Sequence, residues 1–191
     1  MKDVRPTAGR VLLALFSILG EMGGVSFLDL FAGTGRVGIE ALKRGASPVV
    51  MVEVLKDRVR DIERGLPKEI GPDSVVVLGL ELRRAMTWLD KRGCFFDVVF
   101  ADPPYHQGWG KTLLHVKFLT KIVKREGVLV VEHALREPLE IFLPWTVTDV
   151  RSYGETALTF LKNTEGKAEE RTGGKTEGKA EGKAEGKEAL S

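Results

Sequence analysis

Short runs rich in β-branched residues, separated by segments of helix length, constrain this chain more than any other feature. The runs are Ser26–Leu30, Val49–Glu53, Ser74–Leu78, Asp97–Ala101 and Gly127–Val131. Between them lie Arg36–Arg44, Lys56–Glu69, Leu82–Arg92 and Lys111–Arg125, each rich in Leu, Ile, Lys, Arg or Glu. Regular strand–helix–strand alternation implies right-handed crossovers and a parallel sheet. Thr146–Tyr153 and Glu155–Leu161 are joined only by Gly154, too short for a crossover, so they are expected to form an antiparallel hairpin at one edge. The predicted fold is α/β: a doubly wound, mostly parallel sheet of about seven strands ending in that hairpin. In such sheets ligands bind at the carboxyl ends of the strands, beside the switch in strand order.

Composition sets the boundaries of that fold. The 191 residues include 29 Lys and Arg against 27 Asp and Glu, a net charge of +2 that names no partner by itself. One cysteine, Cys94, and three scattered histidines offer no disulfide and no metal-ligand spacing, so no metal site is expected. The longest apolar run, Val11–Leu19, is half the length a bilayer needs and is interrupted by Ser17. Gly20-Glu21-Met22 after it is no small-residue cleavage site, so the run reads as a helix in an N-terminal extension, residues 1–24, of a cytoplasmic protein. Residues 163–191 repeat Glu-Gly-Lys-Ala and hold five apolar residues, too few for a core. The expected organisation is one domain over 1–162, expected to be monomeric, and a disordered tail over 163–191.

Phe27-Leu28-Asp29-Leu30-Phe31-Ala32-Gly33-Thr34-Gly35-Arg36-Val37-Gly38 reads as a buried strand, a glycine turn and a helix. Gly33 and Gly35 let the backbone approach a nucleotide closely, and Glu53, 20 residues after Gly33, ends the next strand where an acid accepts ribose hydroxyls. A dinucleotide-binding oxidoreductase uses the same glycine spacing. Asp29 argues against it, because a carboxylate aimed into that crevice repels a pyrophosphate and favours a cationic group. S-adenosylmethionine carries a sulfonium, an amino group and a ribose, and no phosphate.

The fourth run ends in Asp102-Pro103-Pro104-Tyr105. Consecutive prolines force Asp102 out of the α region and leave its carboxylate and the nearby carbonyls little freedom. An exocyclic amino group on a base is a poor nucleophile, because its lone pair is delocalised into the ring. Two fixed acceptors, the Asp102 side chain and a prolyl carbonyl, hold both N–H bonds and turn the lone pair toward a methyl donor. Tyr105 offers a face on which the base stacks. A Pro-Pro turn alone is often only a loop; its place three strands after the glycine turn gives it meaning.

These residues resemble known motifs. Asp-x-Phe-Ala-Gly-Thr-Gly, at 29–35, is similar to the first motif of class I S-adenosylmethionine-dependent methyltransferases. Asp102-Pro103-Pro104-Tyr105 resembles the tetrapeptide of enzymes acting on exocyclic base nitrogens. Arg5-Pro6-Thr7 with Arg10-Val11 and Ala14–Leu19, the Gly38-Ile39-Glu40-Ala41-Leu42-Lys43-Arg44-Gly45-Ala46 helix, and Tyr153-Gly154-Glu155-Thr156 extend the likeness to about residues 4–162. Together they resemble the bacterial 16S ribosomal RNA guanine-N2 methyltransferases, a Rossmann-like family.

The resemblance implies methyl transfer from S-adenosylmethionine to the N2 amino group of a guanine in 16S rRNA or the small ribosomal subunit. It implies that Asp29, Phe31, Gly33, Thr34 and Gly35 line the cofactor site, that Glu53 holds the ribose, and that Asp102, Pro103, Pro104 and Tyr105 form the catalytic group. Such enzymes usually carry an Asp after the third strand to accept from the adenine; here Glu81 is the nearest acid. Arg5, Arg10 and Lys111 are candidates for RNA phosphate contacts. A DNA adenine-N6 methyltransferase shares the Asp-Pro-Pro-Tyr chemistry but normally needs a target-recognition region for which this chain has no room. A non-catalytic nucleotide-binding module keeps the glycine turn without needing the rigid tetrapeptide.

Overall fold

The computed structural model describes residues 6–104, 113–115 and 117–165. Helix α1 (Pro6–Leu19) leads into β1 (Phe27–Asp29), α2 (Arg36–Lys43), β2 (Val49–Val52), α3 (Lys56–Gly65), β3 (Val75–Leu78), α4 (Leu82–Lys91) and β4 (Phe96–Ala101). A short α5 (Lys117–Ile122) precedes β5 (Val123–Ala134), β6 (Trp145–Tyr153) and β7 (Thr156–Asn163). The seven strands form one sheet in the order β3-β2-β1-β4-β5-β7-β6. Neighbours from β3 to β5 are parallel, while β7 is antiparallel to both β5 and β6. The order reverses between β1 and β4, and the crevice outside their carboxyl ends is the switch point at which such sheets bind ligands.

Alternation along each strand divides the core into two layers. Phe27, Met51, Phe100 and Val130 face α1 and α2, packing with Leu15, Phe16, Ala41 and Leu42. Leu28, Val50, Val99 and Leu129 face the opposite side, with Ala85 and Leu89 of α4 and Leu119 and Ile122 of α5. Helix α2 lies close against β2: a Cβ on Gly38 would overlap the Met51 sulfur, so only glycine permits that approach. Asn163, fully buried at the end of β7, donates its side-chain N–H groups to the carbonyls of Thr120 (3.0 Å) and Val123 (2.8 Å).

Two predicted helices are shorter than expected. Helix α3 stops at Gly65 rather than Glu69, because Leu66 precedes Pro67 and takes an extended conformation. The helix predicted over Lys111–Arg125 reduces, among the described residues, to a 3-10 turn at Leu113–His115 and α5. From Val123 the chain is already in β5, which pairs through Val123 with Phe96 and then shifts register before Val128 joins Val98. Glu126 takes a left-handed φ of 65° in that irregular stretch, and the Lys124 ammonium is anchored 3.1 Å from the Asp97 carboxylate. Pairing with β4 thus overrides the helical propensity of Lys, Arg and Glu there.

Candidate active site

Four acids occupy the carboxyl ends of four adjacent parallel strands. In sheet order they are Glu53 after β2, Asp29 on β1, Asp102 after β4 and Glu132 on β5. Each stands two residues beyond an apolar residue of the layer facing α1 and α2: Met51, Phe27, Phe100 and Val130. The period of two therefore carries all four carboxyls to the same side of the sheet. Asp29 pairs with Phe100 and lies one pleat deeper than Asp102; Ala101 pairs with Val131, so Asp102 and Glu132 are level neighbours.

Two cavities meet over these strand ends, sharing Phe31, Gly33 and Asp102. The larger, about 630 Å³, is bounded by Glu53, Val54, Leu55, Leu80, Glu81 and Pro104, among others. The smaller, about 240 Å³, is walled by Val11, Leu12 and Leu15 of α1, with Asp29, Asp102, Glu132 and Arg36 supplying its charged groups. Gly33 and Gly35 have φ of 56° and 76°, the left-handed region that glycine favours, and this turns the chain from β1 into α2.

Burial dominates the electrostatics. Asp29 is 1% exposed and its Oδ1 has no hydrogen-bond partner. Burial, with Asp102 and Glu53 nearby, pushes its pKa up to about 7, although backbone amides of Phe31 and Gly38 favour the ionised form. Burial raises Asp102 to about 6. Glu132 rises to about 8, through burial first and the Asp102 charge second. Glu53 is held differently: one oxygen accepts the Leu55 N–H at 2.8 Å and the other lies 3.7 Å from the Arg58 guanidinium. Glu53 lines the larger cavity, and a carboxylate has acceptor capacity beyond these two contacts.

The expected cofactor residues come together. Phe31 and Gly33 border both cavities, Thr34 lines the smaller, and Gly35 caps α2. Glu81, the residue before α4, is exposed at the rim of the larger cavity. Pro103 is buried and Pro104 lines the larger cavity beside Asp102. Arg10 is exposed on α1. Tyr105, Arg5 and Lys111 lie outside the described residues. Glu132 and Arg36 were not among the sequence candidates. Glu132 lies within β5 and adjoins no glycine or proline signature; the order of the strands brings it beside Asp102.

Residues 1–162 match the family model described as conserved hypothetical protein 95. The chain belongs to that family. Among its relatives, the ribosomal RNA small subunit methyltransferase D of Buchnera aphidicola from Acyrthosiphon pisum is 30% identical over 149 residues, spanning 76% of this chain and 75% of the relative. A solved hypothetical protein of Thermus thermophilus, 28% identical, superposes with a TM-score of 0.66 over 85% of this chain and 90% of its own. The magnesium protoporphyrin IX methyltransferase of Synechocystis PCC 6803, solved with bound S-adenosylmethionine, has a TM-score of 0.60 over 85% of this chain and 83% of its own. At 13% identity that last likeness speaks for the fold alone. This chain's sheet is the Rossmann-like class I methyltransferase arrangement, with its antiparallel hairpin at the β6 edge. Among the described residues no helix is long and apolar enough to cross a membrane, and no cluster of His, Cys, Asp and Glu is suited to a metal ion.

Proposed function

We propose that this chain transfers a methyl group from S-adenosylmethionine to the exocyclic N2 amino group of a guanine in 16S small-subunit rRNA. The observation that carries the reading is the meeting of a rigid Asp-Pro-Pro segment and a glycine turn over one cleft at the switch point, with Asp102 common to both cavities. The name of the Buchnera relative supports rRNA of the small subunit as the substrate class.

The residues fit the cofactor. An orphaned, buried Asp29 oxygen calls for a cationic or hydrogen-donating ligand, which then favours the ionised carboxylate. Gly33 leaves both cavities clear of a Cβ, and Glu53 offers acceptors to a ribose. When bound, S-adenosylmethionine would supply an electrophilic methyl group on a positively charged sulfur, which would leave as a neutral thioether as its bond to the methyl breaks.

Every other part of the work falls to the chain. Asp102 accepts one N–H of the target amino group and, fixed by Pro103 and Pro104, directs the nitrogen lone pair into the cleft. Positive charge develops on that nitrogen as the new C–N bond forms. The Asp102 carboxylate stabilises it and takes the proton that leaves; a pKa of about 6 keeps this acid mostly ionised at neutral pH yet basic enough for the task. Val11, Leu12 and Leu15 of α1 form an apolar wall of the smaller cavity. Because the acceptors lie inside a crevice, the target nucleotide must be unpaired or rotated out of its stack. Exposed Arg10 is suited to a backbone phosphate at the entrance.

The test is labelled methyl transfer to rRNA and to small-subunit particles from cells lacking the activity, followed by mapping of the labelled base. The expected product is N2-methylguanine at one position. Asp102→Ala is expected to lower turnover at least ~100-fold while the cofactor dissociation constant changes little. Labelling of adenine, or normal turnover by that variant, overturns the assignment.

A further inference from the structure

Glu132 has no part in the mechanism just described, yet it faces the same cavity as Asp102 and Asp29. No described residue is hydrogen-bonded or ion-paired to its carboxyl, whereas the next residue on β5 is fully engaged elsewhere: His133 contacts Thr159 Oγ1 at 2.9 Å and the carbonyls of Ala134 and Glu137. An acid without a partner among the described residues, half-buried on a central strand under α1, is costly unless a further group completes it. The orphaned Oδ1 of Asp29, at 1% exposure in the same cavity, independently marks the space as one built for a ligand.

Sheet order assigns that ligand. Glu53 lines the larger cavity, Asp29 lies on β1 next to the glycine turn and lines the smaller one, and Asp102, on the next strand, borders both. Glu132 is one strand further on, level with Asp102 and about 5 Å from it by ordinary strand spacing. A base whose amino group is held at Asp102, with the methyl donor on the β1 side, therefore presents its neighbouring ring edge to Glu132. We propose that Glu132 is the residue that selects guanine, one oxygen accepting the ring N1–H and the other donating a proton to O6. This rests on the methyltransferase reading of the cleft and adds a specificity determinant to it.

The chemistry is discriminating. Guanine alone among the amino-bearing bases has a ring N–H beside its amino group; adenine and cytosine have a lone pair there. An acid with one acceptor and one donor oxygen matches the N1–H and O6 pair of guanine and loses at least one bond with either other base. Burial favours the protonated form this pairing requires. Arg36, the cationic group of the described cavity lining, lies at the start of α2, on the β1 side.

The test replaces the target guanine, in the rRNA substrate identified by mapping, with 2-aminopurine, which keeps the amino group but lacks N1–H and O6. Wild-type protein is expected to favour guanine by about 30-fold in kcat/KM. Glu132→Gln, which offers the same acceptor and donor, is expected to keep that ratio within about threefold. Glu132→Met and Glu132→Ala are expected to lower the ratio about tenfold or more relative to wild type, with calorimetric cofactor affinity within about threefold of wild type. The intrinsic reactivity of 2-aminopurine cancels in the comparison between proteins. If Met and Ala lower transfer to both bases alike, leaving the ratio at its wild-type value, Glu132 does not read the base. A wild type that labels no guanine refutes the reading of the whole cleft instead.

Discussion

Asp29→Asn probes the cleft most directly, because the wild-type carboxyl is enclosed with one oxygen, Oδ1, lacking a hydrogen-bond partner. Its pKa is about 7 in the folded protein and near 3.8 when unfolded. Between those values the folded state keeps a proton that the unfolded chain has released. Stability contributed by this group is therefore fully present below about pH 4, declines as pH rises, and is lost above about pH 7. Asparagine carries no such proton, so the variant lacks this slope. At about 1.4 kcal/mol per pH unit, the difference in unfolding free energy shifts in the variant's favour by about 3 kcal/mol between about pH 5 and about pH 8. Asp102 and Glu132 titrate in both proteins and largely cancel. Urea unfolding of the cofactor-free proteins at the two pH values measures the shift, provided m stays constant. A difference that remains within about 0.5 kcal/mol refutes the claim that Asp29 is held neutral by burial. With cofactor present the order reverses: a cationic ligand favours ionised Asp29, so wild type binds more tightly than the variant and releases part of a proton on binding near pH 7.

Glu53→Ala is expected to weaken cofactor binding by tenfold or more in a calorimetric titration, through loss of its charged acceptor in the larger cavity; an unchanged dissociation constant removes Glu53 from the site. Gly38→Ala forces a methyl group onto the buried Met51 side chain and is expected to cost about 1–3 kcal/mol, outweighing the ~1 kcal/mol gain in helix propensity. An unchanged or higher melting temperature contradicts the close packing of α2 on β2. Asn163→Ala strands the carbonyls of Thr120 and Val123 and is expected to destabilise by about 1–3 kcal/mol, measured by denaturant unfolding; a smaller effect than about 0.5 kcal/mol shows that water replaces the amide.

The sheet was legible because short continuous apolar runs, the mark of parallel strands covered on both faces, occur at Val49–Val52 and Phe96–Ala101, and because Gly154 leaves no room for a crossover before β7. The segment around 123–126 was not legible: Lys124, Arg125 and Glu126 favour helix, and their strand-edge position depends on Asp97 and Phe96, distant in sequence. Asp29, Glu53 and Asp102 were legible because each adjoins a glycine or proline signature or falls at a set spacing from one. Glu132 has no such signature. Only the order of the strands, which local pattern does not specify, brings it beside Asp102.

The four acids also explain why this sheet ends as it does. Each replaces the next inward-facing apolar residue in its strand, so the sequence could have continued the core with Val or Phe and gained burial at every position. Instead carboxyls crowd the tips of β2, β1, β4 and β5, and three of them are displaced toward neutrality. Such an arrangement opposes stability in the empty protein and becomes favourable only when donors and positive charge enter the cleft. In the proposed reaction, ribose hydroxyls at Glu53, a cation near Asp29 and an amino group beside Asp102 would supply those, in the order in which the strands present these three acids. The unfavourable local electrostatics and the proposed reaction therefore have one cause: the core's two-residue alternation carried past the end of the core into the site.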